Sequence, residues 1–116
     1  MKPLLNTTLL FLLLVIGIAG GVSGQDVPDF EETRRLAEQG HARAQSNLGF
    51  MYDNGDGVPQ NNLRAYVWFS VAAAAQGNED ARGNRDIVAD RLTPEQLARG
   101  QDMATRCFES DYQDCE

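Results

Sequence analysis

The sequence predicts an all-α fold, a short α-α solenoid of antiparallel helix pairs placed after an N-terminal leader. Three observations predict it. Apolar residues recur at helical spacing in five segments, and no segment alternates apolar and polar residues as a strand does. Glycines and capping residues separate those segments. The chain also resembles itself. Ala37-Glu38-Gln39-Gly40-His41-Ala42-Arg43-Ala44 returns 37 residues later as Ala74-Ala75-Gln76-Gly77-Asn78-Glu79-Asp80-Ala81. A helix–turn–helix unit with a period in the mid-thirties marks stacked helical repeats, each of which buries its apolar face only against the next.

Each element follows in order. Asp29 is positioned to cap a helix from Phe30 to Gln39, with Glu31–Arg35 as an i,i+4 pair and Gly40 as the stop. Phe30, Thr33, Leu36 and Ala37 share its apolar face. A second helix follows His41 and ends at Asp53, with Ala44, Leu48, Met51 and Tyr52 as its stripe. Residues Asp53 to Asn62 form a loop, in which Gly55 and Gly57 supply positive φ. The third helix, Leu63 to Gln76, has two stripes. Ala65, Trp68, Phe69, Ala72 and Ala73 make one, and Val67, Val71 and Ala74 the other, so it lies sandwiched between neighbours. Gly77 stops it. Asn78 or Asp80 starts a fourth helix, to about Leu92, with Ala81, Ile87, Val88 and Leu92 inward. Thr93-Pro94-Glu95-Gln96 combines a threonine cap, proline at the first position and glutamine at the third, a strong helix start. The fifth helix runs to about Phe108, with Leu97, Ala104, Cys107 and Phe108 on one face and Gly100 permitting close approach.

Composition bounds the chemistry. The chain has 116 residues and a net charge of −7. Lys2 is the sole charge in residues 1–24, and every base beyond it is arginine. That excludes a Schiff-base lysine, a Ser–Lys dyad and a Walker-type phosphate loop. A single histidine excludes multi-histidine zinc sites. An acidic chain without a basic cluster is not built for nucleic acid.

The leader reads as a secretory signal. Lys2 precedes an apolar run from Leu9 to Ala19, and small residues follow. Cleavage after Gly24 fits Val22-Ser23-Gly24, and Ala19-Gly20-Gly21 is a second site. The alternative is an uncleaved anchor, for which the run is short. Localisation is therefore expected to be secreted or periplasmic, with membrane contact only transient, through the signal peptide. Cys107 and Cys115 agree with export, since oxidising compartments preserve disulfides. The absence of C-x-x-C favours a structural bond over a reactive pair. Closing such a loop contributes about 2.6 kcal/mol in the chain-entropy account.

Residues 37–77 resemble one full Sel-1-like repeat, a tetratricopeptide-related unit. The matching pieces are Ala37-x-x-Gly40, Ala44-Gln45-x-x-Leu48-Gly49-x-Met51-Tyr52, Gly55-x-Gly57-Val58-Pro59-Gln60, Ala65-x-x-Trp68, Ala72-Ala73 and Gln76-Gly77. Residues 78–108 resemble a degenerate capping repeat, with Arg85 in place of a leucine. Residues 30–39 look like a half unit, and the whole domain spans 25–108. The resemblance implies an adaptor that binds a protein or peptide on a curved helical surface. The helices at 42–52 and 79–91 would line its concave side. The hydrophilic candidates there are Gln45, Asn47, Asn84 and Arg85. Some secreted, cysteine-rich relatives are linked to penicillin binding. This chain has only one cysteine pair, so an envelope hydrolase or penicillin-interacting protein stands as the alternative reading.

No catalytic, cofactor or metal site is expected. His41 has no second histidine or nearby cysteine and reads as a surface residue. Asp53-Asn54-Gly55-Asp56-Gly57 lacks the alternating oxygens and closing glutamate of a calcium loop. Asp86 and Asp90 are flanked by Arg82, Arg85 and Arg91, as on an ion-paired surface. Trp68 and Phe69 share a stripe with alanines, as core does. Ser46, Ser70 and Ser110 lack a visible base. Glu109, Asp111, Asp114 and Glu116 form an acidic tail in residues 109–116, tied back by the disulfide and read as a solubilising end. The expected state is a monomer or weak self-association.

Overall fold

The computed structural model describes residues 29–75 and 78–116. The leader and its cleavage site lie outside the described residues. The described chain is five α-helices: α1 (Phe30–Glu38), α2 (Ala42–Asn54), α3 (Asn62–Ala74), α4 (Glu79–Ala89) and α5 (Pro94–Glu109).

Local chemistry sets the boundaries. Gly40 closes α1 at φ +92°, and Gly55 closes α2 at φ +73°, its N–H donating to the Met51 carbonyl. Both are left-handed positions that favour glycine. The Asn61 and Asn78 carboxamides accept from the Arg64 and Ala81 N–H groups and so cap α3 and α4. Thr93 and Gln96 form the expected capping box on α5. At α1 the expectation is only partly met. The Asp29 side chain makes no cap bond, and its carbonyl accepts from Thr33 instead. Arg35 pairs with Glu32 at 2.6 Å rather than with Glu31, a choice one helical turn offers equally.

Packing centres on α3. It lies against α2, α4 and α5, and α1 lies against α2. Eight residues of α3 are buried, from Ala65 to Ala73, both predicted stripes among them apart from Ala74. Trp68, Phe69, Tyr52 and Leu48 fill the centre. Two glycines make the close approaches. A Cβ on Gly49 would stand 2.7 Å from the Phe69 ring, and one on Gly100 2.8 Å from Tyr66. The Gly49 contact lets α2 and α3 form a tight pair. The Gly100 contact seats α5 on α3, the close approach anticipated for that glycine.

The tail departs from expectation. The Cys107–Cys115 disulfide forms, and Cys115 is buried with the core. Residues 111–116 do not simply solvate the end of the molecule; they run back over the first three helices. Asp111 and Tyr112 take left-handed backbone at φ 54° and 68° to make the reversal. The Gln113 amide donates to the Glu38 carbonyl at 2.9 Å. The Tyr52 hydroxyl donates to Glu116 at 2.7 Å, and Arg64 and Arg34 stand 3.6 and 3.9 Å from the same carboxylate. One short segment therefore joins α1, α2 and α3 to the end of α5. Its acids are partly matched by partners far away in sequence, which local reading does not reveal.

Burial, and then the bond to Glu116, hold the Tyr52 hydroxyl in its protonated form well above the ordinary tyrosine pKa of 10.0. The folded protein thus retains this proton more strongly than the unfolded chain. The resulting stabilisation is complete below pH 10 and is lost as pH rises above it, toward the elevated folded value. Thermal melts from about pH 8 to about pH 11 should show a stability loss that is reduced in Tyr52→Phe. At neutral pH, Tyr52→Phe should cost about 1.5–3 kcal/mol, because it removes a hydrogen bond to a charged group.

Candidate protein-interaction groove

The 37-residue period gives residues of α2 equivalents on α4. Arg43 corresponds to Asp80, Ser46 to Gly83, Asn47 to Asn84 and Phe50 to Ile87. On each helix these four are spaced by 3, 1 and 3, so they form one face. All eight line a single open groove of about 690 Å³ between the two helices. Each repeat thus contributes, along the helix, a charged residue, a small residue, a carboxamide and an apolar residue.

The groove has two distinct ends and a floor. Phe50 and Ile87 form the apolar end and are 41% and 55% exposed, so that end is open to a partner. Phe50 is steadied from behind by an edge contact with Phe69 at 5.1 Å. Arg43 and Asp80 mark the charged end, and neither forms a salt bridge among the described residues. Neighbouring Glu79 is engaged by Arg82 at 2.9 Å. Between the ends, the Asn47 and Asn84 carboxamides bond to no other described residue. Arg43 and Asn47 also line a smaller pocket of about 320 Å³ against α1, with Leu36 and His41.

The four candidates from sequence separate here. Asn47 and Asn84 line the groove. Gln45 does not: it is fully buried, and its amide donates to the Ala37 carbonyl at 3.1 Å. It is a second donor to a last-turn carbonyl of α1, which also accepts from the Gly40 N–H at 3.0 Å. Its place three residues before buried Leu48 was the available signal. Arg85 is half-buried and pairs with its neighbour Asp86 at 3.0 Å, away from the groove lining. Ile87 also corrects an expectation. Val88 faces the core, and the adjacent residue on a helix lies about 100° around the axis, which turns Ile87 outward. Arg43, Ser46, Phe50, Asp80 and Gly83 were not read as binding residues from sequence. The repeat period, applied position by position, is the signal that finds them.

Ser70 donates to the Tyr66 carbonyl and Ser110 to the Cys107 carbonyl. Asp53 and Asn54 end α2, Gly55 and Gly57 then turn the chain at positive φ, and Asp53 is ion-paired to Arg91.

Glycine substitutions test the geometry in opposite directions. A Cβ on Gly83 would meet nothing within 4 Å, so Gly83→Ala should stabilise the protein by about 0.5–1 kcal/mol through helix propensity. Gly49→Ala should destabilise it by about 1–3 kcal/mol, because buried Phe69 has no room to yield. Chemical denaturation of the two variants checks both signs.

Comparison with known proteins agrees with this architecture. Residues 42–77 match the family model of the Sel1 repeat. Among solved structures, the chain is similar to a protective antigen present in uropathogenic Escherichia coli strains, which displays an SLR fold. The two share 30% identity with a TM-score of 0.67, over 72% of this chain and 19% of the other. The chain thus spans about a fifth of that protein's length. No curated protein matches the sequence. The repeat match and the shared fold show that this chain carries a Sel1 repeat within a helical-repeat fold like that of the SLR structure.

Proposed function

We propose that this protein is a secreted or periplasmic, non-enzymatic interaction module that holds a segment of a partner protein in the α2–α4 groove. The observation that carries the reading is the pair of equivalent stripes, which puts exposed Phe50 and Ile87 beside two carboxamides that have no partner among the described residues. Apolar side chains left open in a concave surface rimmed by polar groups are characteristic of interaction sites. The Sel1 repeat match supports a protein partner. The apolar leader and the disulfide support export.

Two measurements test the proposal. Intact mass of the protein from the envelope fraction should begin at Gln25 and be two hydrogens short of the reduced chain. A full-length mass with free thiols would contradict export. Capture from envelope extract should then be compared between the native protein and a Phe50→Asp, Ile87→Asp variant, both positions being exposed. A partner bound by the first and lost from the second supports the groove. Equal capture by both contradicts it.

A further inference from the structure

We propose that residues 113–116 exchange between two copies of this chain, so that Cys115 of each closes its disulfide on Cys107 of the other and a covalent dimer results.

The long-range anchors of this segment all lie on the helices. Cys115 bonds to Cys107 of α5, and the Gln113 amide reaches the Glu38 carbonyl of α1. Glu116 accepts from the Tyr52 hydroxyl of α2 and stands 3.6 Å from Arg64 of α3. A second copy presents the same groups. Each of these contacts can therefore be remade across a two-fold axis, with an identical element exchanged.

The hinge favours the exchange. Asp111 and Tyr112 are consecutive, neither is glycine, and both hold positive φ, at 54° and 68°. Left-handed backbone is costly for a residue with a side chain, and most of all for a bulky one. Extending the two residues removes that strain, once in each copy, and a short hinge under strain invites swapping. Opening gives up the Tyr112 N–H bond to the Cys107 carbonyl at 2.8 Å and the Gln113 N–H bond to the Ser110 carbonyl at 3.3 Å. It also gives up the Asp114 N–H bond to the Ser110 hydroxyl at 2.8 Å. Asp111, Gln113 and Asp114 are exposed, so water can take over much of this bonding.

Reach and surface agree with a close pair. Three extended residues, from Ser110 to Gln113, span about 10 Å. Exchange therefore brings the ends of the two α5 helices together. Phe108 stands in the last turn of α5 and is 40% exposed. In the closed molecule it meets Tyr112 at 6.1 Å and stays open on its outer side. Two such rings would cover each other between the α5 ends.

The redox balance is the same in both forms. Each Cys107–Cys115 bond forms as two thiols lose two protons and two electrons to a disulfide oxidant, which becomes two thiols. Monomer and dimer thus carry equal numbers of disulfides per chain, and protein concentration at closure decides between them. Cys107 and Cys115 are 0% and 5% exposed, which shields the closed bond from attacking thiols and preserves whichever form closed.

The test is reoxidation of the full, reduced and denatured chain by glutathione disulfide with glutathione, at low and at high protein concentration. An equal mixture of heavy-isotope-labelled and unlabelled protein is used. High concentration should give a dimer without free thiols that reduction returns to monomer. Cleavage after Glu109 separates the two cysteines, and the dimer should then yield Cys107 of a labelled chain joined to Cys115 of an unlabelled one, while the monomer should not. Asp111→Gly accepts positive φ freely and should lower the dimer yield about fivefold or more, and Asp111→Val should raise it by a similar factor. Position 111 is exposed, so both variants should refold to monomer in dilute solution with native circular dichroism. Monomer alone at every concentration, or dimers joined Cys107 to Cys107 and Cys115 to Cys115, would overturn the exchange. A yield that ignores both Asp111 variants would overturn the strained hinge on which the proposal stands.

Discussion

Replacing Trp68 with alanine should cost about 3–5 kcal/mol, the range for deleting a large buried aromatic side chain. Trp68 is fully buried in α3, the helix on which α2, α4 and α5 converge. A domain of this size has about 5–15 kcal/mol in total, so the variant should be partly or wholly unfolded at 37 °C. Its indole N–H has no partner among the described residues. Trp68→Phe removes that unpaired donor along with some volume, and should therefore lose clearly less than Trp68→Ala. Circular dichroism melts of both variants read the difference. A native-like Trp68→Ala would mean that the helix pairs do not share one core.

Loss of the disulfide should have the next largest effect. Cys107→Ser with Cys115→Ser should lower stability by about 2–4 kcal/mol, a shift of about 4–8 °C in melting temperature per kcal/mol for a domain of this length. The closed loop is short, with a sequence separation of 8, but its consequence is not local. The bond holds in place the segment whose Gln113 and Glu116 reach α1, α2 and α3. The variant should therefore also become sensitive to a glutamate-specific protease at Glu109, while the native protein resists. A stability loss with Glu109 still protected would mean that the tail's contacts hold without the bond.

Much of this fold was legible in the chain because local chemistry and repeat period agree. Asn78, Thr93 and Gln96 cap where a helix must begin, and Gly40 and Gly55 stand where backbone must turn left-handed. The third helix read as sandwiched because apolar residues surround it, and it is the centre of the core. The misses share a cause. Gln45 was taken as a surface group by residue type, yet it is buried and its amide nitrogen donates to a carbonyl of another helix. Ile87 was placed inward by hydropathy, yet α4 is covered on one side only. The tail looked solvated because its partners Tyr52, Arg34 and Arg64 lie more than fifty positions earlier. Each outcome depends on tertiary neighbours, which periodicity does not encode. The groove is intermediate: Asn47 and Asn84 were found by polarity, and the six positions beside them follow from the period alone.

Site-specific photo-crosslinking tests the central claim, that the stripes of α2 and α4 are the partner-binding face. A crosslinking residue placed singly at positions 46, 47, 83 and 84, and at exposed positions 99 and 105 of α5 as controls, would be activated in cells that express the protein. The account predicts one shared adduct from all four groove positions and none from α5. Adducts confined to α5, or shared equally between the two faces, would contradict it.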